Sequence, residues 1–442
     1  MAVPSAAKRQ RWAIGAALVG TLVACGDSAK LPLAAGVGDN PSLPEPQSTL
    51  IPTVKIAKAI GWPAGQGPSA MVGTKVVAFA SQLDHPRWLF VLPNGDVLVA
   101  ESNAPKSNKA KGVKAYFMKK AMQKAGAGVP SADRISLLRD ADGDGVAEVR
   151  HVFIDQLHSP FGMALIGDRL FVANTDAVVW FPYTSGISQM TEPATHLVDL
   201  PAGPINHHWT KNLIASPDGR ALYATVGSNS NVGENGVAAE EGRAAVWLIN
   251  VNDGTKRLFA SGLRNPNGLA FEPSSGQLWT TVNERDEIGS DLVPDYMTSL
   301  KDGGFYGWPY SYFGDHVDVR VQPPRADLVA TALVPDYALG AHTASLGLAF
   351  SDQPGLPQQL RGGMFVGQHG SWNRKPPSGY QVVFVRFAGS KPTGQPIQVL
   401  GGFLSAAGEA YGRPVGVAID RRGALLVADD VGNTIWRVSA AD

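Results

Sequence analysis

The sequence predicts an all-β protein, a six-bladed β-propeller that follows a signal peptide and a flexible linker. Six related units, each an apolar strand, a turn and a second apolar strand, start roughly 50–80 residues apart, as expected for one four-stranded blade per unit. Glycine and proline, 50 and 32 of 442 residues, favour a fold with many turns. Helical periodicity is almost absent, which argues against an α/β fold. The units cover residues 86–101, 160–174, 211–227, 266–284, 344–368 and 414–429.

Residues 1–24 have the features of a lipoprotein-type signal peptide. Three basic residues precede an apolar run over 12–24, which is too short to span a bilayer. The run ends in Leu-Val-Ala-Cys-Gly over 22–26, which resembles the bacterial lipobox, where the cysteine becomes the lipidated first residue of the mature protein. The alternative is a plain secretory peptide with a chance cysteine at this place. We therefore expect an exported protein on the periplasmic side, anchored in the membrane through a lipid on Cys25.

Composition divides the remaining chain and excludes several classes of function. Residues 25–75 are rich in proline, glycine, alanine and serine, so they are predicted to form a flexible linker before a propeller domain over 76–442. The 38 basic residues balance the 38 acidic residues, so no overall basic field would recruit nucleic acid. A single cysteine excludes an internal disulfide, a cysteine-rich zinc site and covalently attached haem.

A lysine-rich insertion interrupts the first blade between residues 106 and 124. We interpret it as a solvated loop, and a docking patch for an acidic partner is the alternative. The neighbouring acidic run, over 140–148, has the spacing of a calcium loop. Its carboxylates occupy positions 1, 3, 5 and 9, and a glycine at position 6 permits the turn that gathers hard oxygen ligands. The alternative is an acidic turn that holds no ion. The predicted metal ligands here are Asp140, Asp142, Asp144 and Glu148.

Two adjacent histidines precede the third unit. Because successive side chains on an extended strand point to opposite faces, one of them at most should reach the central channel. We expect His208 to be a general base there and His207 to face away, while a purely structural histidine pair is the alternative.

Basic, amide and aromatic side chains open or close several of the later units. Blade openings converge on one end of a propeller channel, so these cations would meet in a narrow space that needs an anionic guest. Arginine forks suit planar carboxylates, and indole rings could stack on a flat molecule. For any single arginine, the alternative is a surface ion pair. The residues are Lys211, Arg264, Asn265, Trp308, Trp372, Arg374 and Arg413.

Residues 80–440 resemble the soluble quinoprotein sugar dehydrogenases, in particular their sorbosone dehydrogenase-like branch. The resemblance rests on His208, the Arg264-Asn265 pair, the runs 306–309 and 371–374, and Arg413. It implies a six-bladed propeller that binds pyrroloquinoline quinone (PQQ) and calcium in its central cleft. It further implies that His208 is the catalytic base, that Arg264 and Asn265 contact cofactor and substrate, and that Arg413 pairs with the cofactor carboxylates.

The sequence departs from the glucose-oxidising members at two places. His207 stands where those enzymes have an acidic residue, and Glu284-Arg285 replaces the Gly-Pro pair that supplies calcium ligands, so both residues are candidate metal positions. The expected function is PQQ-dependent oxidation of a sugar or sugar aldehyde, with electrons passed to an external cytochrome or quinone. The alternatives are a calcium-dependent lactonase centred on Glu284 and Asn283, and a non-catalytic binding propeller.

Overall fold

The computed structural model describes residues 26–49, 53–106 and 120–441, and it confirms the predicted six-bladed, all-β propeller. The first strands of neighbouring blades pack side by side around a central channel. From the innermost strand outward, the blades are: blade 1, Pro86–Val91, Val97–Glu101, Arg134–Arg139 and Val149–Ile154; blade 2, Met163–Ile166, Arg169–Ala173, Ala177–Pro182 and Thr195–Asp199; blade 3, Leu213–Ala215, Ala221–Val226, Ala245–Asn250 and Lys256–Ser261; blade 4, Asn265–Glu272, Gln277–Asn283, Pro294–Ser299 and Tyr337–Ala341; blade 5, Ser345–Ser351, Gly363–Gln368, Gln381–Ala388 and Lys391–Gly401; blade 6, Pro414–Ile419, Leu425–Asp429, Thr434–Ala440 and Thr74–Ala80.

The ring is closed by a strand from the N-terminal side of the domain. Thr74–Ala80 is the outermost strand of blade 6, and it pairs antiparallel with Thr434–Ala440 near the C-terminus. Blade 6 therefore contains both ends of the propeller domain, so that no blade edge is left open at the junction.

Glycines recur where the inner strands approach one another. A Cβ atom on Gly162, Gly268, Gly347 or Gly416 would overlap the backbone of the inner strand of the following blade. These glycines occupy the same place in their units, two residues after a proline or, before Gly347, a serine. The repeated glycine thus lets the inner strand of each of these four blades pack closely against the next.

Apolar layers between neighbouring blades hold the ring together. The second strand Val97–Glu101 is buried along its whole length, because neighbouring blades cover both of its faces. The outer strand Thr74–Ala80 alternates between exposed and covered residues, as expected at a sheet edge. One layer joins blades 1 and 2 through Trp88, Phe153 and Phe161.

The segment predicted to be a flexible linker over 25–75 is packed against the propeller in its described parts. Val37–Gly38 pairs with blade 4 and Ser69–Ala70 pairs with blade 5, each as a fifth strand. Trp62 packs between Phe403, Tyr411 and Trp436. The sequence of this segment shows no periodicity because short edge pairings and single apolar side chains hold it in place, rather than an amphipathic helix or strand.

Helices are few and short in the described residues. They are the turn over 120–124 and Ala326–Val329, with 3-10 turns at Leu33–Gly36, Val237–Glu240 and Gln358–Leu360. Among these residues no helix has the length and apolarity to cross a membrane. The predicted signal peptide and Cys25 lie outside the described residues.

Candidate active site

Inner strands begin, and second strands end, at the same end of the channel, here called the upper end. Pro86 lies opposite Glu101, and Pro414 lies opposite Asp429. The loops before the inner strands and those after the second strands therefore meet there. This topology places His208, Arg264 and Arg413 at one end of the molecule, although they are far apart in sequence.

His208 lies half-buried in the loop before the inner strand of blade 3. Its Nδ1 is 2.8 Å from the Ser228 carbonyl oxygen and 3.0 Å from Ser228 Oγ. Because that hydroxyl donates its own proton to the Ser230 carbonyl, both neighbours of Nδ1 are acceptors, and Nδ1 carries the proton. Burial, then Arg264 and His207, lower the pKa of His208 well below its ordinary value. The imidazole is therefore neutral at neutral pH and can accept a proton at Nε2.

His207 does not face away from His208, so the prediction from strand alternation is wrong. The two imidazole rings lie 4.7 Å apart between centroids, edge to face, and His207 is exposed. Asn206 has a φ of 40°, and residues 206–208 belong to no strand. The opposite-face rule does not apply, because the loop is not extended.

Lys211 supports His208 from behind and does not line the channel. It is fully buried, and its Nζ donates to the carbonyl oxygens of His208 and Trp209 at 3.4 and 3.2 Å. Arg243 Nη2 donates to the same His208 carbonyl at 3.0 Å. Burial, then Arg243, lower the pKa of Lys211 well below its ordinary value. The predicted cofactor contact of Lys211 is therefore replaced by a positioning role beneath the histidine loop.

Arg264 and Asp286 form the core of the site on the blade 4 side. The buried Arg264 guanidinium donates to the Glu284 carbonyl at 2.7 Å and lies 3.3 Å from Asp286 Oδ2. Asp286 also accepts a hydrogen bond from Asn373 Nδ2 at 2.8 Å and lies 3.3 Å from His342 Nδ1. Its carboxylate thus links loops of blades 4 and 5.

Asn265 lies against His208 across a glycine. A Cβ atom on Gly227 would overlap both Asn265 Oδ1 and His208 Cβ. Asn265 is buried, and its Oδ1 has no hydrogen-bond partner among the described residues. A buried amide oxygen without a partner is costly, so it marks a place where a donor from a bound molecule fits.

Replacing Gly227 by alanine is expected to lower activity by at least about 100-fold, because the new methyl group displaces the two side chains it would overlap. Unfolding should become easier by about 1–3 kcal/mol. Steady-state turnover and thermal unfolding of the variant measure the two effects. Gly36→Ala is the matched control, because a Cβ atom there meets open space. Unchanged turnover in Gly227→Ala would show that the contact between these side chains does not matter.

Glu284 and Arg285 pair with each other and do not form the predicted metal site. Arg285 is fully buried, with Nε 2.9 Å from Glu284 Oε2 and Nη1 3.1 Å from Asp318 Oδ2. Its Nη2 donates to the Ser311 carbonyl at 2.6 Å. A guanidinium cannot bind a cation, and Arg285 pairs with the carboxylates of both Glu284 and Asp318. The pair clamps the insertion around residue 311 onto blade 4.

Three further predicted cofactor contacts have different surroundings. Trp308 is buried, and its Nε1 donates to the Asn231 carbonyl at 2.9 Å, so it forms a wall rather than a stacking surface. Trp372 is 39% exposed at the upper end, so it is the more accessible of the two tryptophans. Arg374 does not face the site, because its donors are taken by the carbonyls of Ser290 and Pro376 and by Asp291.

Arg413 lies at the upper end on the blade 6 side. It is 3% exposed, and its guanidinium contacts the carbonyl oxygens of His369, Gly370 and Ala57 at 3.3–3.4 Å and the face of Tyr380. No carboxylate of the described residues lies within ion-pair distance of it. A buried guanidinium without a counter-charge is expensive, so its surroundings fit an anion.

A charged cluster that the sequence patterns did not predict lies beside Arg413. The buried carboxylate of Asp430 contacts His369 Nε2 at 2.9 Å, the Arg87 guanidinium and, at 3.6 Å, His85 Nε2. Although burial alone would raise the pKa of Asp430, His369, His85 and Arg87 hold it far below its usual range. His85 precedes Pro86, which opens the first unit, just as Asn265 precedes Pro266 and Arg413 precedes Pro414. That shared position was the available signal.

The predicted linker also contributes to this wall. Trp62 Nε1 donates to Asp429 Oδ2 at 2.7 Å, and Asp429 Oδ1 accepts the backbone N–H of Arg413 at 2.7 Å. Together with the Ala57 carbonyl, these bonds fix both the backbone and the side chain of Arg413.

The acidic loop over 140–148 lies at the opposite, lower end. Its four predicted ligands, Asp140, Asp142, Asp144 and Glu148, offer oxygens that all lie within 4.8 Å of one another. The third strand of blade 1 runs from the upper end at Arg134 to the lower end at Arg139, just before the loop. An ion bound there could act only on structure, since the whole length of the blade separates it from His208.

Comparison with known proteins agrees with this architecture. The TrAA12-like family profile matches residues 68–295 and 329–441, well over half of the chain. The chain belongs to the TrAA12-like family. Residues 26–67 lie outside the matched segments, and so does the insertion over 296–328, which contains Asp318.

Relatives of this TrAA12-like chain include sugar dehydrogenases. It is 26% identical to a pyrroloquinoline quinone-dependent pyranose dehydrogenase of Coprinopsis cinerea, over 49% of this chain and 35% of the relative. An uncharacterized protein of Borreliella burgdorferi is 28% identical, over 54% of this chain and 62% of that protein. An aldose sugar dehydrogenase of Escherichia coli is 28% identical over 23% of this chain and 26% of the relative. The chain thus spans less than two thirds of the length of these curated relatives.

Solved structures share the fold. The holo form of the PQQ domain of the Coprinopsis cinerea pyranose dehydrogenase has a TM-score of 0.68 at 21% identity, covering 87% of this chain and 100% of that one. A calcium structure of the Trichoderma reesei AA12 enzyme has a TM-score of 0.67 at 17% identity, covering 88% and 99%. The PQQ-bound aldose sugar dehydrogenase of Streptomyces coelicolor has a TM-score of 0.54 at 15% identity, covering 85% and 100%.

Proposed function

We propose that this TrAA12-like protein is a PQQ-dependent sugar dehydrogenase. It oxidises a sugar or sugar aldehyde, of the aldose or sorbosone type, at the upper end of the channel and passes the electrons to an external cytochrome or quinone. One observation carries the proposal: a neutral histidine with a free Nε2 shares this end with buried arginines, of which Arg413 has no carboxylate partner among the described residues. Relatives that act on sugars with this cofactor support it.

The residues present fit PQQ in kind. PQQ is a planar tricarboxylate, and Arg413 and Arg87 would hold its carboxylates through charge-assisted hydrogen bonds. The exposed ring of Trp372 offers a flat surface, and the unpartnered Asn265 Oδ1 accepts a donor from substrate or cofactor. When bound, the quinone supplies the two-electron acceptor that the protein's own side chains lack.

The chain's own residues supply the proton transfer and the orientation. His208 accepts the proton of the sugar hydroxyl at Nε2, and Ser228 keeps the other ring nitrogen protonated and the ring aligned. Lys211 and Arg243 hold the histidine loop through the His208 carbonyl. Asp286 keeps Arg264 in place through its ion pair.

We further propose that calcium binds the loop over 140–148 as a structural ion. Four carboxylates with a turn glycine offer the hard oxygen ligands that calcium prefers. Glu284 and Arg285 are not proposed as calcium ligands, since they neutralise each other.

The same pairing argues against a calcium-dependent lactonase. Such an enzyme would need channel carboxylates free for a metal, whereas Arg285 binds Glu284 Oε2 and leaves only Oε1 without a partner among the described residues. A non-catalytic binding propeller has no need of a base with a free ring nitrogen beside unpaired arginine.

The experiment is reconstitution of apo-protein with PQQ, with and without calcium, followed by dye-linked oxidation of a panel of aldoses and sugar aldehydes. We expect saturable PQQ binding and sugar oxidation that depends on PQQ. Sugar-lactone hydrolysis with calcium alone, or absence of PQQ binding, would contradict the proposal.

We also propose that the protein is exported and anchored through a lipid on Cys25. Cys25→Ser should move it from the membrane fraction to the soluble fraction, because the thiol is the attachment point of the lipid. Oxidation of sugar by the released protein should persist, since the described contacts of the site do not involve Cys25. Fractionation followed by activity assay measures both. A soluble wild-type protein whose mature N-terminus is not Cys25 would contradict this proposal.

A further inference from the structure

The first described residues of the chain are bound at the upper end of the propeller. Ser290 N donates to Asp27 Oδ2 at 2.8 Å, and Thr53 Oγ1 donates to the Asp27 carbonyl at 3.0 Å. Ser290 follows the second strand of blade 4, four residues after Asp286 of the candidate site. Cys25 precedes Asp27 by two residues in the sequence. A lipid on Cys25 would therefore hold the upper end close to the bilayer.

Exposed apolar side chains occupy the same end. Lys55 N donates to the Trp372 carbonyl at 2.7 Å, which places Val54 beside Trp372, and these side chains are 54% and 39% exposed. Ile60 and Val129, which line one cavity together, are 42% and 47% exposed. Met122, 43% exposed, completes the set. Because Trp372 is assigned to the cofactor site, the upper apolar patch is defined as the other four residues, Val54, Ile60, Val129 and Met122. Isolated apolar side chains are ordinary on a surface, whereas a group of them beside an anchoring point indicates a contact.

Basic residues surround the upper apolar patch. Lys55 and Lys58 are exposed on the segment that carries Val54 and Ile60, and Lys58 pairs with the partly exposed Glu409. The Lys124 carbonyl accepts the backbone N–H of Ala59, so the end of the lysine-rich insertion also lies here. Lysines beside apolar side chains suit a surface of anionic lipid headgroups, which attracts cations close to the membrane.

We propose that the upper apolar patch contacts an anionic lipid bilayer, so that the channel end carrying His208 and Arg413 faces the membrane. The inference rests on the proposed anchoring at Cys25 and goes beyond it, because an anchor alone leaves the domain free to turn. A lipid chain plus a basic, apolar surface is the two-signal combination that gives stable membrane attachment. In this orientation, electrons taken from a sugar would leave the protein on the membrane side.

The test uses two exposed valines at opposite ends of the propeller. Val54 lies in the upper apolar patch, and Val72, 91% exposed, precedes the lower end of the outermost strand of blade 6. Val54→Cys and Val72→Cys are each labelled with an environment-sensitive fluorophore. The chain has one natural cysteine, which the lipid would block. Quenching by brominated lipids is then measured for the lipidated protein in phosphatidylglycerol vesicles.

We expect at least about fivefold stronger quenching at position 54 than at position 72, weakened when vesicles contain only phosphatidylcholine. Equal quenching at both positions, or stronger quenching at position 72, would overturn the proposed orientation. If the protein proves not to be lipidated, the same labelled variants of the mature protein are mixed with phosphatidylglycerol vesicles. Selective quenching at 54 would then support the surface without the anchor, and no quenching at either position would refute it. Binding of the labelled patch to an acidic protein but not to vesicles would also refute it.

Discussion

Replacing His208 by glutamine is expected to lower turnover by about 100- to 10,000-fold, the usual cost of losing a positioned base. PQQ affinity should stay nearly unchanged, because the arginines at the opposite wall, rather than the imidazole, hold the carboxylates. Glutamine keeps a polar group of similar reach but cannot accept a proton at neutral pH. Steady-state kinetics at saturating PQQ and calcium measure the loss.

His207→Gln is the matched variant, because the two rings are in contact and both lie at the channel end. We expect it to retain most of the activity, since only His208 has the Ser228 contacts that leave Nε2 unprotonated. A dead His207→Gln beside an active His208→Gln would mean that the base is His207. If both variants stay active, the base is not in this loop.

The pH dependence of the wild type tests the same assignment. Burial lowers the pKa of His208 well below 6.5, so the group is already deprotonated at pH values where an exposed histidine would be half protonated. Activity should rise with pH only in the acid range and stay flat from there through neutrality. His208→Gln should lose this acid-side rise.

Replacing Arg413 by alanine should weaken PQQ binding by about 2–4 kcal/mol, which is roughly 30- to 1,000-fold in affinity. The guanidinium is buried and has no carboxylate of its own among the described residues, so the cofactor would be its only full counter-charge. Titration of the apo-protein by absorbance measures the affinity.

Arg374→Ala is the control for the Arg413 variant. Its guanidinium is also buried but is fully engaged by Ser290, Pro376 and Asp291. We expect a loss of stability with near-normal PQQ affinity. Equal loss of affinity in both variants would show that the effect comes from general loosening of the loops, and unchanged affinity in Arg413→Ala would remove Arg413 from the site.

The blade positions could be predicted because each blade repeats the same local pattern of strand, turn and strand. The blade positions also predicted which end of the channel holds the site, because the topology of a propeller brings the openings of all blades together. His208, Arg264 and Arg413 could be named for the same reason. His85 precedes the proline that opens the first unit in the same way, and attention to that equivalence would have found the cluster around Asp430.

The direction of individual side chains could not be predicted. His207 and His208 lie in a loop whose turn at Asn206 cancels strand alternation. Arg285 pairs with Asp318 as well as with its neighbour Glu284, and Arg374 binds the Ser290 carbonyl. No local sequence pattern predicts such long-range contacts.

The packed segment over 53–67 shows a related limit. Its proline- and glycine-rich composition is typical of linkers, yet a few specific contacts are enough to order it. Trp62 reaches Asp429, a residue near the opposite end of the chain, and its ring fits a group of aromatic side chains from blades 5 and 6. Composition reflects the average tendency of a segment to be ordered or flexible. It does not reveal that a single side chain, here Trp62, fixes the segment in place.

The most direct test of the central claim is a single-turnover measurement on the reconstituted protein. PQQ-loaded wild type and His208→Gln are mixed rapidly with an aldose in the absence of any external acceptor, and the quinone absorbance is followed. The account predicts full reduction of the bound quinone by wild type, and reduction slower by at least about 100-fold in His208→Gln at equal PQQ occupancy. Equal rates in the two proteins, or no reduction of bound quinone by any sugar of the panel, would contradict it.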